Sequence, residues 1–504
     1  MIKTILLAFL FSTSLSANTS LDRPITSFAG PKIESKFKTG AKDKCEQLMT
    51  TNIEFIRQLI GFSKPKDQKK YKKMLRRFSP KKISQCDTPA MQNRVSKFFS
   101  KHKKKIGVLL PLTGKDARWG KIFYESILEY LPNLGLKKKQ VVILDTKSLP
   151  RTFHAQLAKL VLKEKVSIII GGASKYETKM LRLWSEKLLT PTLLLHQKDL
   201  SSSDTTSPYA FYVSPDPKQM AESLRSFMGN RGLKRVAVLY PENRKTSFIR
   251  FIEKSLKSNG HRVVKVSNYN PRDYGSMELV LREIFQIDAE DRVEEMEELI
   301  EVKKAEAKEA GLPFEPQNLI LKPRKTVDGI VVADNFKSVR HLANIMKFLG
   351  IEKVPLMGNQ QWRAPEMFFP PEPYLASSVF VDYIGSYKKL PYGLHVPTQD
   401  SPYFTSPDKL SSLDLSLLAR HSISIASRAL KKAPKDRKNL RAKLRKMRNE
   451  SKESFFRSRR VFDRNQVSNW PTFLFSMSKD NLHLIFDRVA EEARLRPTPY
   501  EGRL

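Results

Sequence analysis

From residue 105 onward the chain alternates short apolar runs rich in β-branched residues with helical stretches, and no other feature narrows its fold so far. Ile106–Leu110, Val141–Leu144, Val166–Ile170 and Pro191–Leu195 read as buried strands, with helices at Ile122–Leu131, Phe153–Leu162, Tyr176–Leu189 and Pro217–Met228. Parallel strands need crossover helices, and those helices hide both sheet faces from water, so this rhythm specifies βαβ units. A second series begins at Arg235–Leu239 and continues through a helix at Phe248–Ser258 and a strand at Arg262–Val266. It resumes with strand Gly329–Ala333, helix Lys337–Leu349, a strand around Val354–Met357 and another at Val379–Tyr383. Trp470–Phe475 and Leu482–Phe486 read as closing strands. The fold class expected is α/β, with two doubly wound parallel sheets in two lobes, about 104–228 and about 232–487. Residues 288–326 interrupt the second lobe with an acidic half and then a basic half, which reads as an exposed helical insertion.

The segments before this region differ in character. Lys3, the apolar run Ile5–Phe11 and the small residues ending at Ala17 have the pattern of an export signal, so 1–17 is expected to be removed. Its apolar run falls short of the ~20 residues that span a bilayer, and no cysteine follows it for lipid attachment. The mature protein is therefore expected to be periplasmic and unanchored. Residues 18–40 read as a flexible leader, 41–100 as a small helical region, and 488–504 as an irregular tail. The two cysteines, Cys45 and Cys86, both lie in the helical region. In an oxidising compartment they are candidates for one disulfide, and with no histidine pair at ligand spacing they do not make a metal site.

Lys and Arg number 91 against 52 Asp and Glu, a formal net charge of +39. Such a surface attracts anions; in an exported protein these are envelope polymers or headgroups rather than nucleic acid. Residues 431–460 concentrate this charge, with fourteen Lys or Arg and three acids, while Leu440, Leu444 and Met447 recur at helical spacing. An amphipathic helix presenting Lys438, Arg441, Lys443, Arg445, Lys446 and Arg448 is the candidate patch for an anionic partner, a solvated outer face being the alternative.

Enzyme signatures are missing. Gly114-Lys115-Asp116 lacks the earlier glycine and the Ser or Thr of a phosphate loop, and there is no Gly-x-Ser-x-Gly, no His-Glu-x-x-His and no dinucleotide turn. No enzymatic activity, cofactor or metal is expected. What remains are polar loops at strand C-termini, where doubly wound sheets bind ligands. Thr113, Lys115, Arg118 and Trp119 follow the first strand; Ser174 follows the third, at a helix N-terminus; His196 and Gln197 end the fourth; Arg244 and Lys245 follow the first strand of the second lobe. Ser174 has a second reading as a plain helix N-cap.

Ile106–Gly114 with Trp119-Gly120, Ile168–Ser174 and Pro191–Leu195 resemble the type I periplasmic binding proteins of the branched-chain amino-acid class. Val327–Asp334, Leu356–Pro365 and Val379–Asp382 resemble more closely the LppC-like penicillin-binding-protein activators. The resemblance spans roughly 104–487 and adds Asp334, Gln360 and Trp362 to the cleft candidates. It implies a non-catalytic regulator of peptidoglycan synthesis that contacts a synthase or other wall enzyme. The alternative it leaves is a receptor of an ABC transporter for a polar or anionic small molecule. Amino-acid receptors of this class place an acid near the Met-Gly turn to pair with the ligand's ammonium; here Gln360 and Gln361 stand there. Burying an ammonium without a carboxylate costs several kcal/mol, so ordinary amino-acid binding is not expected.

Overall fold

The computed structural model describes 65–77, 83–92, 102–196, 207–242, 245–288, 292–316, 319–364, 373–383, 412–431, 436–448, 460–477 and 482–487, with scattered helical positions from 43 to 60. The signal, leader and tail expected at 1–17, 18–40 and 488–504 lie outside the described residues, as do Gln197 and Arg244.

Strands β1 (Ile106–Leu110), β2 (Val141–Asp145), β3 (Ile168–Gly171), β4 (Thr192–Leu194) and β5 (Ala210–Tyr212) form one sheet. Its order is β2-β1-β3-β4-β5 and every pairing is parallel. The second sheet contains β6 (Arg235–Pro241), β7 (Arg262–Tyr269), β8 (Gly329–Val332), β9 (Leu356–Gly358), β10 (Val379–Asp382), β11 (Phe473–Met477) and β12 (Leu482–Asp487). Its order is β12-β11-β10-β9-β8-β6-β7, parallel from β7 to β10 and antiparallel across β10, β11 and β12. Every residue of β1, β3 and β8 is buried, as strands covered on both faces must be.

Helices α1 (Pro65–Arg77), α2 (Ala117–Tyr130), α3 (Pro150–Ala158) and α4 (Lys175–Lys187) precede the first crossing between sheets, and α5 (Pro217–Asn230) follows it. The expected boundary near 228 therefore shifts: α5 packs against β10 and β11 of the second sheet, so the crossing falls at about 213–216. Helices α6 (Ser247–Lys257), α7 (Tyr274–Ile284), α8 (Val293–Glu309) and α9 (Phe336–Phe348) belong to the second lobe. Within 288–326, α8 buries none of its residues, and its base is tied by Arg292 and Arg324, both paired with Glu295.

A larger departure concerns α10 (Ser412–Leu430) and α11 (Arg437–Lys446), which the sequence placed in the second lobe. They return to the first. Ser126 of α2 donates to Ser416 at 2.8 Å, and Arg420 pairs with Glu129 at 2.8 Å. Residues 466–468 then run alongside β5, with Tyr212 N donating to Gln466 O and Ser468 N to Tyr212 O, before the chain recrosses to β11. Periodicity marks the apolar face of α10 but carries no information about which sheet that face covers.

Cys45 and Cys86 are bonded. The helical region they join shares an apolar core with Phe153, Leu157, Leu160 and Trp184, so it sits on one face of the first lobe. Among the described residues no helix is long and apolar enough to cross a membrane.

Candidate functional site

The C-terminal ends of the strands carry the polar loops, and in the first lobe Asp145 at the end of β2 organises them. Its carboxylate accepts from the amides of Leu112 (2.9 Å), Thr113 (3.2 Å) and Lys147 (2.8 Å) and from the Thr113 hydroxyl (2.6 Å). Burial alone raises its pKa, but these four donors outweigh that and hold it below the ordinary aspartate value. Thr113 is thus committed to its own loop. Gly120 lets α2 lie against the loop, since a Cβ there would stand 2.1 Å from Pro111 O. Trp119 stacks on Phe123 at 5.3 Å. Lys115 and Arg118 are exposed and make no ion pair among the described residues. His196 is half-buried beyond β4.

Ser174 takes the N-cap role: its hydroxyl accepts from Glu177 N at 3.2 Å. The Glu177 carboxylate turns back to accept from Ala173 N at 3.0 Å, one residue before the N-cap. A carboxylate of the protein itself therefore occupies the amide next to Ser174, the residue sequence reasoning offered to a ligand. Glu177 is buried, and burial raises its pKa, offset in part by the Ala173 amide.

The second lobe closes its own strand ends. The buried Asp334 accepts from Tyr269 Oη at 3.0 Å and from Asn335 N at 2.8 Å, and burial pushes the Tyr269 phenol far up. Trp362, offered as a cleft residue, lies fully in the core: its indole donates to Val332 O at 3.1 Å and lies against Gly358, where no Cβ would fit. Lys245 is exposed and pairs with Glu253 at 3.2 Å. Gln360 is half-buried on the turn after β9.

Sequence reasoning missed a buried cluster where the lobes meet. Arg363 grips Asp382 at the end of β10 through two bonds of 2.6 and 2.9 Å and reaches Asp414 of α10 at 2.6 Å. Tyr383 donates to the same Asp414, and burial raises its pKa strongly. Since β10 belongs to one lobe and α10 to the other, this guanidinium spans the crossing. Trp470 completes the junction, stacking edge-on with Tyr383 at 5.3 Å, packing on His421 at 4.3 Å and donating to Val213 O at 2.8 Å. Burial keeps His421 neutral, its pKa pulled down to about 3. Among the described residues, Val213 and Tyr383, each at the start of a crossing, thus meet the indole of Trp470 on the third. The four charged or phenolic residues are scattered from 363 to 414, and no spacing links them in sequence.

Of the proposed anion patch, Arg441 stacks over Tyr209 at 4.9 Å and Lys443 donates to Ala429 O at the end of α10, so these two serve packing. Lys438, Arg445, Lys446 and Arg448 are exposed.

A family described as Periplasmic binding protein matches residues 103–284. No curated protein matches the chain. Among solved structures, a protein of Rhodospirillum rubrum described as a branched-chain amino-acid ABC transporter aligns over 76% of this chain and 99% of its own, at 15% identity and a TM-score of 0.52. A leucine-binding protein of Thermotoga maritima covers 76% of this chain and 98% of its own at 17% identity and a TM-score of 0.44. The architecture is the two-lobed type I periplasmic-binding-protein fold.

Proposed function

We propose that this protein is a periplasmic solute receptor that delivers a polar or anionic small molecule to an ABC transporter. The observation that carries the reading is the unpaired, exposed pair Lys115 and Arg118, on a rigidly pinned loop at the C-terminal edge of the first sheet. Doubly wound sheets bind ligands at that edge, and the description of the Rhodospirillum rubrum structure as an ABC transporter supports the assignment. At the start of α4 the amides of Ala173 and Glu177 are already taken by Glu177 and Ser174. With Gln360 and Gln361 standing where an acid would pair with an ammonium, the ligand of this reading is not an ordinary amino acid, and its anionic group meets Lys115 and Arg118.

Differential scanning fluorimetry of the mature protein against a metabolite library tests this. A ligand should raise the melting temperature, and Lys115→Ala with Arg118→Ala should abolish the shift while leaving the unliganded melting temperature alone. A shift that survives both substitutions sinks the assignment of the site.

A second reading, a regulator of peptidoglycan synthesis of the LppC-like kind that acts through protein contacts, is favoured by the engagement of Ser174, Lys245 and Trp362 within the protein. Recovery of a wall synthase on the immobilised protein, with no metabolite response in the fluorimetric screen, would decide for it.

A further inference from the structure

The opposite edge of the first sheet has its own chemistry. Arg437 at the start of α11 donates to Val166 O at 2.7 Å, just before β3, and Arg441 lies over Tyr209, just before β5. Helix α11 therefore runs across the N-terminal ends of the strands, on the side away from the crevice. The loop before β1 joins it there, since Lys103 N donates to Lys165 O and Ser167 N to Lys105 O. Three segments distant in sequence thus meet on one underside.

Their exposed side chains are of one sign. Lys103 and Lys104 come from the first loop, Lys163 from the turn before β3, and Lys438, Arg445 and Lys446 from α11. None of the six makes an ion pair among the described residues, and the acids carried by the same segments, Glu164 and Asp436, are already engaged. Glu164 is bonded to Lys105, whose hydrogen bond holds its pKa low, and Asp436 caps α11 by accepting from Asn439 N at 2.8 Å. The apolar face of α11, with Leu440 and Leu444, is packed inward, so the outward face offers charge and no greasy side chain for insertion.

We propose that this underside is a docking surface for an anionic phospholipid bilayer, held by charge alone. An array of cations spread along a helix of about 15 Å, with no aromatic platform among the described residues there, suits a field of headgroup phosphates better than a single strand of nucleic acid, which needs stacking surfaces. A second copy is a poor occupant, because every copy carries +39 and repels the next. Docked this way, the protein holds its crevice edge away from the lipid.

Cosedimentation with vesicles of phosphatidylcholine alone, and with phosphatidylglycerol added, tests the surface. The wild type should bind only the anionic vesicles and be released by salt. Combined Lys438→Glu, Arg445→Glu and Lys446→Glu should weaken binding by about a hundredfold or more, at roughly 1 kcal/mol per cation near the surface. The matched reversal Lys304→Glu, Lys308→Glu and Lys353→Glu on the second lobe should weaken it far less. Equal losses in the two variants would reduce the effect to net charge and overturn the proposal. So would the wild type's failure to bind anionic vesicles, or its binding soluble polyphosphate or nucleic acid while ignoring them. Circular dichroism of both variants separates lost binding from lost fold.

Discussion

The loop after β1 and the turn after β9 stand at the same end of their respective sheets, yet they use their polar groups in opposite ways. In the first lobe Asp145 gathers backbone amides and one hydroxyl, so the loop is rigid while its long cations point outward unpaired. In the second, Trp362 and Arg363 turn inward, one into the core and the other onto two carboxylates. A rigid loop with free side chains is suited to meeting something else. A turn whose side chains are consumed is suited to joining parts of the same chain.

Arg363→Ala should produce the largest effect, because it strands the Asp382 and Asp414 charges in the interior. Breaking a buried pair costs about 3–5 kcal/mol, and denaturant unfolding should register that loss in full. A cost below about 1 kcal/mol would mean that the crossing is not held by this cluster. Asp145→Asn should cost less, about 1–3 kcal/mol at neutral pH, as a charged acceptor with four donors becomes neutral. Its pH dependence has a definite sign. A carboxylate whose folded pKa is depressed contributes stability above its unfolded value, near 3.9, and that contribution fades as pH falls through the folded value. The gap between wild type and variant, followed by thermal melts, should therefore shrink on acidification below about pH 4; a constant gap would contradict the role given to the charge. Arg118→Ala should do least, within about 0.5 kcal/mol, since nothing in the fold leans on it. A larger loss would make that loop as self-consumed as its counterpart.

The apolar runs were legible because burial on both faces leaves a continuous hydrophobic signature, and β1, β3, β8 and β10 fall where that signature lies. β5 (Ala210–Tyr212) was missed. The return of α10 and α11 to the first lobe was also illegible, since an amphipathic face does not name its partner. In the candidate site, the loops were found from their place after strands. Whether a polar residue is free or spent was legible only in part: Ser174 carried the N-cap reading that the structure gives it, while Lys245 depends on Glu253, whose reach is a matter of side-chain geometry. The resemblance made Trp362 a cleft candidate; it lies in the core instead, over the bare backbone of Gly358.

The bond from Arg437 to Val166 closes a span of most of the chain's middle, and the strand segment beside β5 arrives later still. The first lobe is begun early in synthesis yet cannot be finished until residue 468 has emerged, so its half-built sheet must wait with α2 and the edge of β5 uncovered. That interval lengthens with every residue between them, and contacts of such wide separation form slowly. A chain of this design should lean on whatever keeps nascent polypeptides apart until their last segment is delivered, and any shortening from the C-terminal side past 468 should be felt first at its opposite, earliest-made end.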